Sequence, residues 1–154
     1  MPKGDWALRA MDVKDMDAAK DLLREAGLPT DGVGGEFAAG YVLAERDGAI
    51  VGMAGVEVYG RSGLLRSVAV ATSQRGRGLG RLLVEDRLHW AAANCLRAVY
   101  LLTATAAATG FFSKLEFATI ARAEMATEVQ TSEEFSRICP ETATAMVRRL
   151  EAIC

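Results

Sequence analysis

Histidine is nearly absent from this chain. His89 is its one copy, and the positions three and four residues further on are Ala92 and Ala93, so no second ligand follows on the same helical face. His89 therefore reads as a helix-surface or partly packed residue, not as a metal ligand or catalytic base. Cysteine is scarce as well: Cys95, Cys139 and Cys154 are odd in number and form no CxxC pair. A disulfide framework needs an even set in a secreted protein, so the reading is a reducing cytosol with Cys95 as a small buried hydrophobe. Cys139 and Cys154 would hold a soft metalloid only where the fold brings their thiolates together, and no metal is expected.

Charge of one sign is missing too. Eighteen basic and twenty acidic residues leave a formal charge of −2, without the clustered Lys and Arg of a nucleic-acid binder. The longest uncharged run, residues 98–113, carries three Thr and one Gly and falls short of the ~18–20 apolar residues of a membrane helix. The opening MPKGDWALRAMDVKD is too charged for a signal peptide. These absences point to a soluble cytoplasmic protein with neither nucleic acid nor membrane as partner. Repeats and linkers rich in Pro, Ser and Gly are also lacking, so residues 1–154 read as one domain.

What remains is ordinary globular material, 51% hydrophobic and 25% charged. Residues 6–10 read as a first strand. Residues 13–26 repeat apolar or small side chains at helical spacing and stop at Gly27 and Pro29. Residues 30–40 are Gly-rich, a loop with one helical turn. Strands follow at 41–45, 49–59 and 64–70, joined by turns at 46–48 and 60–63. A turn at 72–78 leads into a helix at 79–94, with Leu82, Leu83 and Trp90 as core residues. Beyond it come a strand at 98–103, a helix at 107–115, a strand at 117–122, a helix at 131–138 and a closing strand at 143–150, whose Arg148 and Arg149 read as solvated edge charges. Tight turns make neighbours antiparallel, while the strand–helix–strand segment 64–103 allows a parallel crossover. The expected fold class is α+β, a mixed and mostly antiparallel sheet covered by helices.

The chemistry concentrates in LLRSVAVATSQRGRGLGR, residues 64–81. Glycines at 76, 78 and 80 remove side chains where a strand turns into a helix, so backbone N–H groups can close on one ligand. Those N–H groups have no partner within the helix and sit at the positive end of its dipole, which suits a phosphate. Arg75, Arg77 and Arg81 add positive charge. A Walker loop fails here, since Arg75 stands at its first Gly and Arg81 at its Lys. A dinucleotide fingerprint fails as well: Arg81 replaces its third Gly, and no acidic residue lies between Asp86 and Glu116.

What is left is Arg-x-x-Gly-x-Gly, met by Arg75, Gly78 and Gly80, after a strand reading V-A-V. On this motif and the element order, the chain resembles the GCN5-related N-acetyltransferases. The resemblance implies that Arg75, Gly76, Arg77, Gly78, Leu79, Gly80 and Arg81 hold the pyrophosphate of acetyl-CoA. It also implies that Val68, Ala69 and Val70 pair with the pantetheine arm. Downstream, the family's Asn and Tyr–x–x–x–Gly–Phe positions fall on Thr105, Phe112, Glu116 and Phe117, so Thr105 and Phe112 are the matching cofactor positions and the usual tyrosine acid is absent.

Many relatives place an acidic residue shortly before the V-A-V; here Arg66 and Ser67 stand there. The substitute is Glu57, a carboxylate inside the apolar strand 49–59. It reads either as the catalytic base or as a carboxylate paired with Arg66 or Arg61. LLRSVAV, FFSKLEF and EEFSRICPETATAM also resemble an acetyltransferase subgroup of arsenic-resistance operons, which implies a small amine acceptor, arsenic-bearing in that subgroup. Many relatives dimerise, which extends the expectation of a homodimer to this chain. The implied activity is amine acetylation; the alternative is an acetyl-CoA sensor without turnover.

Overall fold

The computed structural model describes residues 5–132, 135 and 142–151. Among these residues seven strands form a sheet in the order β1-β2-β3-β4-β5-β7-β6. They are β1 (Ala7–Ala10), β2 (Tyr41–Arg46), β3 (Ala49–Tyr59), β4 (Ser62–Val70), β5 (Ala98–Thr103), β6 (Ala118–Ile120) and β7 (Thr144–Arg149). Helices α1 (Met16–Glu25), α2 (Leu79–Ala93), α3 (Ala106–Ser113) and α4 (Thr127–Gln130) complete the order. The α+β class, the antiparallel majority and the parallel β4–β5 crossover all agree with the sequence reading.

The packing divides into two compact units, Met1–Val56 with Ser67–Arg87, and Glu57–Arg66 with Leu88–Cys154. In the first, Leu22 and Leu23 of α1 pack with Tyr41, Leu43, Met53 and Ala69. On α2, Leu79 and Leu83 are buried four residues apart, and both contact the space a Cβ on Gly52 would enter. Gly52 thus lets the start of α2 lie close on β3. Tyr41 is 1% exposed, and its ring lies against Gly55, its register partner on β3. A Cβ at Gly55 would come within 2.4 Å of that ring. Gly55→Ala is therefore expected to destabilise the protein by about 1–3 kcal/mol through overpacking, read as a lower Tm in thermal unfolding.

The 13–26 helix divides. Val13–Asp15 is a 3-10 turn in which Val13 is 84% exposed, so α1 proper begins at Met16. Asp15 causes the break, because its carboxylate accepts from the Asp12 N–H at 2.8 Å and from two nitrogens of Arg9 at 2.7 and 2.8 Å. Arg9 also pairs with Glu45. The Arg9 hydrogen bonds, then the Asp12 N–H, lower the Asp15 pKa from 3.8 to about 2. A depressed carboxylate contributes stability that is complete above pH ~4 and lost as pH falls through about 2. The stability gap between wild type and Asp15→Asn, measured by denaturant unfolding, is expected to narrow across that window.

In the second unit, Leu64, Ala98, Tyr100, Val129, Ala145 and Val147 share a core. β4 starts at Ser62, two residues earlier than the sequence suggested, because Ser62 and Gly63 pair with Ala98 and Val99. β7 lies between β5 and β6, so Arg148 and Arg149 are not on an edge strand. Arg148 donates to the Leu115 carbonyl at 2.9 Å, while Arg149 is exposed. Residues 117–122 shorten to β6 because Arg122–Glu124 turns as a 3-10 segment. Helix α4 was not expected, and the helix read at 131–138 falls largely outside the described residues. Leu82, read as core, is 41% exposed, and Cys95, read as a small buried hydrophobe among reduced thiols, is half-buried and disulfide-bonded.

Candidate active site

The glycine loop grows out of β4. Ser67, buried in mid-strand, has a φ of +59°, so the pleat is interrupted just before Val68. Val68 and Val70 are half-buried, while Ala69 packs into the core with Tyr41 and Met53. The parallel register with β5 runs only from Ser62↔Ala98 to Leu64↔Tyr100, so Val68–Val70 lie beyond its last pair. Their backbone is strand-like at the point where the resemblance places an extended pantetheine arm.

After Val70 the chain is fixed, then opens. Ala71 donates its N–H to the Val51 carbonyl at 2.8 Å, and Thr72–Gln74 forms a 3-10 turn. The Glu25 carboxylate accepts the Thr72 N–H at 3.0 Å and hydroxyl at 2.8 Å, which lowers the Glu25 pKa. Arg75 donates through Nε to the Val70 carbonyl at 3.0 Å. Gly76 and Gly78 have φ of +78° and +87°, and a Cβ at either would meet nothing within 4 Å. Their glycine identity follows from backbone conformation, and the space beside them is open.

Leu79, Gly80 and Arg81 form the first turn of α2, with the Gly78 carbonyl accepting from the Leu82 N–H at 3.0 Å. First-turn N–H groups, open glycines and exposed Arg75 and Arg77 fit a diphosphate. Arg81 is exposed and tied to Glu85 at 2.6 Å, the pairing that raises its pKa.

In the second unit, Glu57 is 3% exposed. Its Oε1 accepts from the Tyr59 hydroxyl at 2.7 Å, and Oε2 lies 3.3 Å from Arg66 Nη1. The expected pairing with Arg66 is present, and β3 carries the carboxylate while β4 carries the cation. Burial, then the bond to Glu57, raises the Tyr59 pKa, so the phenol stays protonated at neutral pH. It can pass a proton onward but not act as a free phenolate base.

Thr105 and Phe112 serve α3. The Thr105 hydroxyl oxygen caps the helix by accepting the Ala108 N–H at 3.1 Å. Phe112 is 8% exposed and packs edge-on against Phe111 and Phe117, with centroids 5.0 and 5.6 Å away. Glu116 stands where the resembled family has Gly, and it holds a φ of +69°. A left-handed backbone is thus held here by a residue that does not favour it. Tyr59, bonded to Glu57, and Gln74, buried in the turn before the glycines, are two polar residues of this region that the sequence reading does not single out. Tyr59 carried a signal, since Glu57 and Tyr59 two apart on a strand share one face.

Among the described residues no group of three His, Cys, Asp or Glu is placed to hold a metal ion, and no helix is long and apolar enough to cross a membrane. A profile of the acetyltransferase (GNAT) family matches residues 6–117. A mycothiol acetyltransferase from Nocardia farcinica is 36% identical to the matched region, which takes in 54% of this chain and 31% of that relative. The fold superposes on N-acetylglutamate synthase from Neisseria gonorrhoeae, complexed with coenzyme A and L-arginine, with a TM-score of 0.77 and 18% identity over 94% of this chain and 33% of that one. A Mycobacterium tuberculosis protein in complex with CoA gives 0.72 and 24%, covering 94% of this chain and 99% of that one. The ribosomal-protein-S18-alanine N-acetyltransferase from Escherichia coli gives 0.73 and 18%, covering 94% and 93%.

Proposed function

Because this chain belongs to the GNAT family of acetyltransferases, we propose that residues 1–154 act as a single N-acetyltransferase domain moving an acetyl group from acetyl-CoA to a small primary amine. The observation that carries the reading is the loop at 76–78, where two left-handed glycines border open space at the head of a long helix. Arg75, Gly76, Arg77, Gly78, Leu79, Gly80 and Arg81 take the pyrophosphate, and Val68–Val70 take the pantetheine arm. The nitrogen lone pair forms the C–N bond to the acetyl carbonyl, and the C–S bond breaks with its electrons leaving on the CoA thiolate. Backbone N–H groups at Val68–Val70 stabilise the developing oxyanion, a contribution of about 3–4 kcal/mol per donor at other acyl-transfer sites. The ammonium proton passes to Glu57, directly or through the Tyr59 hydroxyl that already donates to it.

A second reading, a non-catalytic acetyl-CoA-binding sensor, has one observation in its favour: Phe112 offers no hydroxyl where the resembled family has its tyrosine acid. Incubation with acetyl-CoA and a broad amine panel, read as released coenzyme A, separates the two. The panel includes amino-acid analogues bearing arsenic, the acceptor class suggested by the resemblance of LLRSVAV, FFSKLEF and EEFSRICPETATAM. Turnover with any amine supports the enzyme; tight binding without turnover across the panel supports the sensor. The same sample, run by sedimentation, tests the homodimer.

A further inference from the structure

We propose that Gln74 is a positioning residue for coenzyme A, fixing the shoulder from which the glycine loop departs. Across residues 72–78 every position is exposed except Gln74, which is 9% exposed. A single buried residue in a solvated turn is an anchor, and here the anchor is polar. Its Oε1 accepts from Trp6 Nε1 at 3.0 Å and from Arg46 Nη1 at 3.1 Å, while its Nε2 donates to Ser73 Oγ at 3.3 Å. Its backbone N–H closes the 3-10 turn on the Ala71 carbonyl at 2.8 Å. The amide therefore ties the turn to the chain before β1 and to the end of β2, two segments distant in sequence. An apolar anchor would hold the turn in place but leave the Trp6 and Arg46 donors without this acceptor.

The consequence falls on the next residues. Gly76 and Gly78 meet no neighbouring atom where a side chain would be, so the loop's glycines have open space beside them. They lie between the shoulder at Gln74 and Arg75, whose Nε bonds the Val70 carbonyl, and buried Leu79. Thr72, clasped by Glu25, reinforces the near end. Ordering a glycine-rich segment around a diphosphate is entropically unfavourable, and a fixed shoulder shortens the segment that binding must order. Gln74 touches no ligand in this account; it acts through the loop.

This inference rests on the proposed acetyl-CoA site, and the test separates the two. Coenzyme A is titrated by calorimetry into wild type, Gln74→Met and Gln74→Glu, well below each melting temperature. Methionine keeps the length and volume but loses the acceptor, and glutamate keeps the acceptor for both Trp6 and Arg46. The expected result is about ten-fold weaker binding for Gln74→Met and recovery to within about two-fold for Gln74→Glu. Adding Trp6→Phe to Gln74→Met is expected to weaken binding little further, because the shared bond is already gone. Unchanged affinity in folded Gln74→Met, or no rescue by Gln74→Glu, overturns the positioning role while the site stands. Absence of coenzyme A binding by wild type removes the site and this role together.

Discussion

A Gly78→Glu variant is expected to lose coenzyme A binding by about 100-fold or more while remaining folded. The two halves of that expectation have separate causes. Folding survives because a Cβ at Gly78 meets nothing within 4 Å, and the residue lies in an exposed turn. The left-handed φ of +87° makes a side chain there strained, at about 1–2 kcal/mol. Binding collapses because the new carboxylate sits beside the first-turn N–H groups of α2, where it competes with the diphosphate and repels it. Gly78→Ala isolates the strain, since it changes the backbone preference without adding charge. Calorimetry on both variants, with circular dichroism for the fold, is the check. Unchanged affinity in a folded Gly78→Glu protein would remove the pyrophosphate assignment altogether.

The loop was legible because its information is local. Three glycines, three arginines and a helix start lie within a few residues, and the backbone there follows from residue type at Gly76 and Gly78. The same holds for the β2–β3 turn, where Asp47 and Gly48 take positive φ as a tight hairpin requires. Ser67 shows the opposite case. Its φ of +59° comes from the strand around it, and serine in V-A-V context carries no signal for it. Gln74 was hidden for a related reason, since its partners, Trp6 and Arg46, are 68 and 28 residues away in sequence. The Glu57–Arg66 pair was half visible. Strand positions put both on the apolar hairpin, but the sequence did not reveal that each would be under 5% exposed, with Tyr59 as the third member. Arg148 reads as an edge charge because it lies on the last strand in sequence, whereas β7 inserts between β5 and β6.

Glu57→Gln is expected to lower kcat at pH 7 by about 100-fold, and the loss should shrink as pH rises. The argument is an inventory of protons. An alkyl ammonium has a pKa of ~10, so at neutral pH nearly every acceptor molecule must lose a proton before its nitrogen can attack. The departing CoA thiolate has the pKa of an ordinary thiol, about 8.5, so it leaves without a strong acid and the missing hydroxyl at Phe112 is tolerated. A base is the group this chemistry lacks in bulk water at pH 7. Glu57 is a candidate, and its Oε1 already accepts from the hydroxyl of half-buried Tyr59. The substitution also has a structural effect. It removes the charge beside the Arg66 guanidinium, whose side chain is 1% exposed, and loss of one partner of a buried pair costs about 3–5 kcal/mol. A second protein, Glu57→Gln with Arg66→Met, removes both charges and separates the effects. If Glu57 only supports the fold, the double variant regains stability and rate together. If Glu57 is the base, the double variant regains its melting temperature while kcat at pH 7 stays low, and both variants approach wild type toward pH ~9–10 as solvent supplies free amine. Wild-type kcat at pH 7 in a folded Glu57→Gln protein would take the proton away from Glu57 and give it to water.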